Sequence, residues 1–60
     1  MNRNAIEVSG AHLDACIKAL RKLEVPISSV STTKDKYLII YRSEISYKLE
    51  SLLEVCENAR

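Results

Sequence analysis

The residues best able to do chemistry are one histidine and two cysteines. His12 and Cys16 stand four positions apart, a spacing that puts two metal ligands on one side of a helix, and Cys56 could approach from a second helix. Structural zinc takes four ligands and catalytic zinc takes three plus water, but the chain has no further histidine or cysteine. Both cysteines lie in apolar stripes, where a free thiol packs as a small hydrophobe. The sequence predicts no metal, no cofactor and no disulfide.

The same histidine lacks the neighbours that catalysis needs. A nucleophilic site would require a nucleophile and an orienting carboxylate close to His12. Asp14 is two positions away, about 200° around a helix, so it cannot orient the ring by local geometry. The chain has 60 residues and one glycine, too little to enclose a substrate pocket or build a glycine-rich phosphate loop. The sequence predicts that the protein is not an enzyme.

Composition limits the class of protein further. Nine basic and eight acidic residues give a net charge of +1, so no overall field favours nucleic acid or lipid. The first ten residues lack the apolar core of a signal peptide, and no apolar run has membrane-spanning length. A hydrophobic content of 47% with one glycine and one proline is typical of a folded domain. We expect an unprocessed, cytoplasmic, single domain over residues 1–60, without membrane contact.

The first half of the chain predicts a strand followed by a helix. Residues 5–9 alternate Ile6 and Val8 with polar side chains, which is typical of a strand with one buried face. Ser9 and Gly10 can cap a helix that runs from position 12 to 24, until proline follows Val25. The apolar stripe of this helix is Leu13, Cys16, Ile17, Leu20 and Leu23.

The second half predicts a hairpin and a closing helix. Residues 27–33 are rich in β-branched side chains, but Ile27 and Val30 have opposite parity, so either Ile27 belongs to the turn or a bulge changes the phase. Residues 34–36 form the hairpin tip, and residues 37–42 the third strand. Ser43 is predicted to cap the last helix. The apolar stripe of that helix is Ile45, Leu49, Leu52, Leu53 and Cys56.

These elements predict the α+β class with a βαββα order. Each amphipathic helix needs a surface for its stripe, and the economical solution places both helices on one face of a three-stranded sheet. With the first strand beside the third, the result is a truncated ferredoxin-like fold without its final strand.

One family shares these features in part. The element order, and the "VSG" that leads into a helix, superficially resemble the small ferredoxin-like copper chaperones. That family carries a paired-cysteine loop at the start of the first helix. Here the stretch is "GAHLDAC", in which Leu13 occupies the position of the first thiol and only Cys16 remains. The resemblance therefore implies neither membership of the family nor metal carriage.

The stretch "KYLIIYR", residues 36–42, contains the predicted third strand and is apolar on both of its faces. If Leu38 and Ile40 face the helices, the alternate side chains form an exposed patch of the kind found at contacts. The predicted partner-binding residues are Tyr37, Ile39 and Tyr41, with Lys36 and Arg42 at the rim. The competing explanation is that tyrosine simply suits a pleated strand.

Two hypotheses of function follow. The first is a small non-enzymatic, regulatory protein-binding module, a homodimer that contacts other proteins through the third strand and an open sheet edge. The alternative is a nucleic-acid-binding regulator, in which Tyr37 and Tyr41 stack on bases. Its basic residues would be Lys18, Arg21, Lys22, Lys34, Lys36 and Arg42. Four glutamates on the predicted closing helix disfavour phosphate nearby.

Overall fold

A computed structural model describes residues 2–58 of the chain. The elements in chain order are β1 (Arg3–Ser9), α1 (Gly10–Lys22), β2 (Ile27–Thr33), β3 (Lys36–Arg42) and α2 (Leu49–Asn58). The predicted α+β class and the order strand, helix, strand, strand, helix are therefore confirmed. Within the described residues, no helix is long and apolar enough to cross a membrane.

The sheet has the order β1-β3-β2, and both outer strands run antiparallel to β3. The predicted contact between the first and third strands is confirmed. β3 is the central strand, and it pairs with β1 from Ser9 opposite Lys36 to Arg3 opposite Arg42. The outer sides of β1 and β2 have no strand beside them within residues 2–58.

A bulge in β2 resolves the parity of its apolar residues. Ile27 lies opposite Tyr41, whereas Ser29 lies opposite Ile40, so Ser28 is an extra residue in the ladder. The extra residue reverses the alternation, and Ile27 and Val30 then project from the same face. Of the two explanations that the sequence left open, the bulge is the one that the structure adopts.

The direction in which β3 faces is the reverse of the prediction. Residues opposite one another in a ladder project from the same face, and β1 pairs Ile6 with Ile39 and Val8 with Tyr37. Ile6, Val8, Ile39 and Tyr41 are all buried, so this side of the sheet, the helix face, is the one that the helices cover. Tyr37 is half-buried there. The predicted exposed patch of Tyr37, Ile39 and Tyr41 is wrong.

The physical reason is that the sequence of β3 alone does not determine which of its two faces the helices cover. Both of its faces are apolar, so period-two alternation fits either orientation. The alternation of β1 shows unambiguously which of its faces is buried. Because β1 pairs with β3, the residues of β3 that lie opposite the buried residues of β1 share that face. Tyr37 lies on the helix face beside the first residue of α1. Its Cε2 atom is 3.4 Å from the position that a Cβ atom on Gly10 would occupy.

The core consists of side chains from β1, β3 and both helices. Its buried members are Ile6, Val8, Cys16, Ala19, Leu20, Ile39, Tyr41 and Leu52. The α1 stripe predicted from helical spacing supplies Cys16 and Leu20, and Ala19 joins them. Leu23 is more exposed than the prediction required, since it follows the last residue of α1.

The ends of α1 depend on backbone contacts more than on side-chain caps. Ser9 occupies the predicted N-cap position, but its hydroxyl makes no capping bond and instead contacts His12 Nδ1 at 3.2 Å. At the other end, Glu24 adopts a left-handed conformation with φ of 59°. Val25 N–H then donates to the Leu20 carbonyl at 2.9 Å, which closes the helix before Pro26.

α2 begins later than predicted. Ser43 does not cap it, because the helix starts at Leu49 and residues 43–48 form an irregular connector. Ser43 Oγ instead accepts a hydrogen bond from Ile45 N–H at 3.0 Å, which makes a local turn. Ile45 is 59% exposed and does not belong to the core stripe.

Two side chains hold this connector on the sheet. Tyr41 Oη accepts a hydrogen bond from Tyr47 N–H at 2.9 Å, and the two tyrosine rings pack with centroids 5.9 Å apart. Asn4 Nδ2 donates to the Ser43 carbonyl at 2.7 Å. These contacts satisfy backbone groups that a helix over residues 43–48 would have bonded internally, so they favour the irregular path.

Burial controls the chemistry of the two thiols. Cys16 is fully buried and Cys56 half-buried, and neither is in a disulfide. Burial raises the pKa of the Cys16 thiol above its ordinary value, and the nearby Cys56 adds to the rise. Cys16 is therefore a protonated, packed side chain at neutral pH, as free buried cysteines generally are.

The Tyr41 hydroxyl gives a first testable prediction. Tyr41→Phe removes the acceptor of the Tyr47 N–H while keeping the buried ring, so we expect a loss of about 1 kcal/mol in the free energy of unfolding. For a domain of this size the melting temperature should fall by about 4–8 °C. Tyr37→Phe is the matched control on the same strand and should change stability little. Equal effects of the two substitutions in thermal unfolding would contradict the role of the Tyr41 hydroxyl.

The Cys16 thiol gives a second prediction. Its folded pKa is raised, so the native state keeps the proton that the unfolded chain loses, and the free energy of unfolding falls as pH rises above the ordinary thiol value of 9.0. Below that pH this contribution is fully present. Urea unfolding at neutral pH and above pH 9.0 should show a steeper fall for the native sequence than for Cys16→Ala. Parallel pH profiles would contradict it.

Candidate functional site

The side of the sheet opposite the helices, here called the open face, is left uncovered by the elements of the described chain. Ile40 lies at its centre between Ala5 and Ser29, and Leu38 lies next to Ile40 along β3. Both are half-buried although no described helix lies above them, because the neighbouring strands give partial cover. At Ile40 that cover is limited, since the side chains that flank it are small. The full set on this face is Arg3, Ala5, Glu7, Ser9, Ser29, Ser31, Thr33, Lys36, Leu38, Ile40 and Arg42.

The charges on the open face are mostly positive. Arg3 lies directly opposite Arg42, and like charges in that position repel one another. Lys36 is exposed at the other end of β3. Glu7 is the one acidic side chain on this face, and it accepts a long hydrogen bond of 3.5 Å from Thr33. Within residues 2–58 the only ion pair joins Lys18 to Asp14 on α1, so the basic groups of the open face are uncompensated.

The predicted contact residues are divided between the two faces. Lys36 and Arg42, predicted as the rim, are exposed on the open face. Tyr37, Ile39 and Tyr41 lie on the helix face, as described above. The apolar residues found on the open face are instead Leu38 and Ile40. They were missed as contact residues because the prediction placed them against the helices. The signal that could have identified them is the pairing of β3 with β1, whose buried face is clear from its alternation.

The residues of the nucleic-acid hypothesis are not brought together. Tyr41 is fully buried, so it cannot stack on a base, and Tyr37 is half-buried beside α1. The basic residues also occupy separate places. Lys18, Arg21 and Lys22 belong to α1, Lys34 to the hairpin turn, and Lys36 and Arg42 to the open face. The helix layer and the open face are opposite sides of the sheet, so these residues form no single basic surface.

The residues considered for metal binding have other partners or are buried. The His12 ring contacts the Ser9 hydroxyl, and Cys16 packs in the core. In the part of the chain from 2 to 58, no group of three or more histidine, cysteine or carboxylate side chains is placed to hold an ion.

Two shallow grooves beside α1 show how the helices are arranged. One groove is lined by Ile17, Arg21, Val25, Pro26, Ile27 and Val30, which places β2 on that side of α1. The other is lined by Lys22, Ser51, Glu54, Val55 and Asn58, which places α2 on the opposite side. Because β1 is the sheet edge farthest from β2, α2 lies toward the β1 edge.

Within the described residues, the outer side of β1 is a free edge whose outward backbone groups have no strand partner. Ser43 N–H donates to the Asn2 carbonyl at 3.0 Å, which makes these two residues a hydrogen-bonded pair of the ladder. Such pairs alternate along antiparallel strands, so Asn4, Ile6 and Val8 bond to β3. The backbone groups that point away from the sheet belong to Arg3, Ala5, Glu7 and Ser9. An edge of this kind can receive another strand.

The open face and the free edge of β1 are thus the two candidate binding surfaces, and both are defined by the geometry of the sheet. Comparison with known proteins found no match to a protein-family model, to a curated protein or to a solved structure.

Proposed function

We propose that the chain is a small non-enzymatic protein-binding module, a homodimer that binds and modulates another protein on the open face of its sheet. The observation that carries the proposal is the placement of Leu38 and Ile40 at the centre of a face with no helix above it. Apolar side chains surrounded by polar ones, on an uncovered surface, are typical of contact sites.

The chemistry of the open face favours an acidic partner. Lys36 and Arg42 are exposed at the two ends of β3, and they have no acidic partner within the described chain. A segment with two apolar side chains could cover Leu38 and Ile40, while its carboxylates approach the basic ends. The small side chains beside Ile40 leave room for those apolar groups.

The proposal includes a truncated ferredoxin-like arrangement and a cytoplasmic location. The strand order β1-β3-β2, with β3 antiparallel to both neighbours, supports the first, since a fourth strand of that fold would lie beside β1. Two cysteines in a chain of 60 residues are too few for the disulfide scaffold of a small secreted domain, which supports the second.

The third prediction tests the open face with a library of short displayed peptides, selected at low salt. We expect enriched peptides that combine acidic and apolar residues. Their binding should be lost in the Leu38→Ser/Ile40→Ser variant, because the apolar contact is removed, and weakened in Lys36→Glu/Arg42→Glu, because the charge is reversed. Fluorescence polarisation of a labelled peptide measures both effects.

The matched control is Val30→Ser. Val30 is 43% exposed and apolar, as the open-face residues are, but it projects from the helix face beside the groove of α1 and β2. Its substitution should leave peptide binding unchanged. The proposal fails if no peptide is enriched, or if the serine substitutions on the open face have no more effect than the control. Salt-sensitive binding of oligonucleotides in place of peptides would favour the nucleic-acid alternative.

A further inference from the structure

We propose that two copies of the chain join through the free edge of β1, antiparallel, with Ala5 on the two-fold axis. In this register Arg3 of one copy lies opposite Glu7 of the partner subunit, and each dimer contains this ion pair twice. The inference rests on the homodimer of the proposed function and specifies its interface. A second copy is the occupant that the charges of the edge select.

The backbone limits how two β1 strands can pair. The groups that point outward belong to Arg3, Ala5, Glu7 and Ser9, so hydrogen-bonded pairs must join members of this set. A two-fold axis at Ala5 pairs Arg3 with Glu7. An axis shifted toward Ser9 by one residue pairs Arg3 with Ser9, and a further shift places Glu7 opposite itself.

The side chains choose among these registers. Glu7 and Arg3 are both exposed on the open face, and neither has an ionic partner within residues 2–58. Only the axis at Ala5 places each directly opposite an unlike charge. Arg3 also lies opposite Arg42 within its own chain, so a carboxylate from the partner subunit relieves that repulsion. The small side chain of Ala5 permits close approach at the axis.

The helix side of the edge offers a second contact. Val55 and Ser51 line the groove with Lys22, so that flank of α2 faces α1. Leu53 is two residues before Val55, about 200° around the helix, and therefore lies on the flank of α2 that faces away from α1. It is half-buried but does not pack on the core cluster. In the dimer, Leu53 faces the partner subunit above the joined strands.

Joining the copies in this way leaves the open face accessible. The added strand hydrogen-bonds to the backbone of β1 and pairs with the charges of Arg3 and Glu7. It does not contact Leu38 or Ile40, which belong to β3. The two sheets become one, and the two open faces become a single continuous surface. Lys36 and Arg42 of each copy form no ion pair within residues 2–58, so the surface keeps its positive character.

A charge-reversal experiment on the full chain tests the register. Sedimentation equilibrium over a range of concentrations should show a dimer for the native sequence. Arg3→Glu and Glu7→Arg should each raise the dimer dissociation constant about tenfold or more, because both interfacial pairs become repulsive. An equimolar mixture of the two variants should recover dimerisation as a heterodimer, since every pair across that interface is again unlike. Lys36→Glu is the control, because it reverses an open-face charge outside the new ladder.

Cross-linking locates the axis independently. In a Cys56→Ser background, Ala5→Cys should form an intermolecular disulfide when oxidised glutathione accepts the electrons and protons of the two thiols. Ser9→Cys should not, because the two copies of position 9 lie eight residues apart along the joined strands, about 26 Å. Mass spectrometry of the non-reduced protein identifies the linked peptides.

The outcomes separate the register from the proposed function. A strict monomer at every concentration overturns the dimer and the register together. A dimer that is insensitive to the charge reversals, or that cross-links at position 9 and not at position 5, overturns the register alone. Peptide binding to the open face is measured separately and does not depend on either result. Recovery in the mixed sample supports the proposal and also shows that both variants fold.

Discussion

Tyr41 occupies the point where β3, the helix layer and the connector to α2 meet. Its ring is fully buried in the core cluster, and its hydroxyl accepts the Tyr47 N–H. The side chain therefore stabilises the orientation of the central strand that the pairing with β1 sets. It also decides where α2 begins, since the connector bonds to it in place of forming a first helical turn. Tyr41 is also the largest of the fully buried side chains among the described residues.

The consequence of this packing is a sheet whose helix face is covered and whose open face is uncovered. Two short helices cover β1 and β3, where Ile6, Val8 and Ile39 are buried, but little of β2, whose Val30 is exposed. On the open face, Leu38 and Ile40 belong to the central strand and depend on their strand neighbours for partial cover. Small domains bury a low fraction of their surface, so burial against another molecule contributes proportionally more to their stability.

The sequence predicted the elements better than the direction of the central strand. The alternation in β1, the helical stripe of α1 and the β-branched run of β2 each indicate one type of element, and the bulge in β2 was one of two stated alternatives. Residues 36–42 have two interpretations, because exchanging their faces exchanges one apolar set for another. The late start of α2 was not predictable from Ser43 either, because it depends on a hydrogen bond to a side chain of another element. Both errors are tertiary effects, and both involve Tyr41.

The two candidate surfaces can act together because they use different parts of the same strands. Edge pairing is made by backbone groups, which every residue has, so its register must come from the charged side chains that flank the edge. The proposed binding on the open face would be made by side chains, and its selectivity would come from the positions of Leu38, Ile40 and the basic groups. In the proposed dimer, Glu7 of each copy pairs with Arg3 of the partner subunit, and both residues belong to the open face. Dimerisation would therefore leave Lys36 and Arg42 as the unpaired charges of that face, and both are available to an acidic partner.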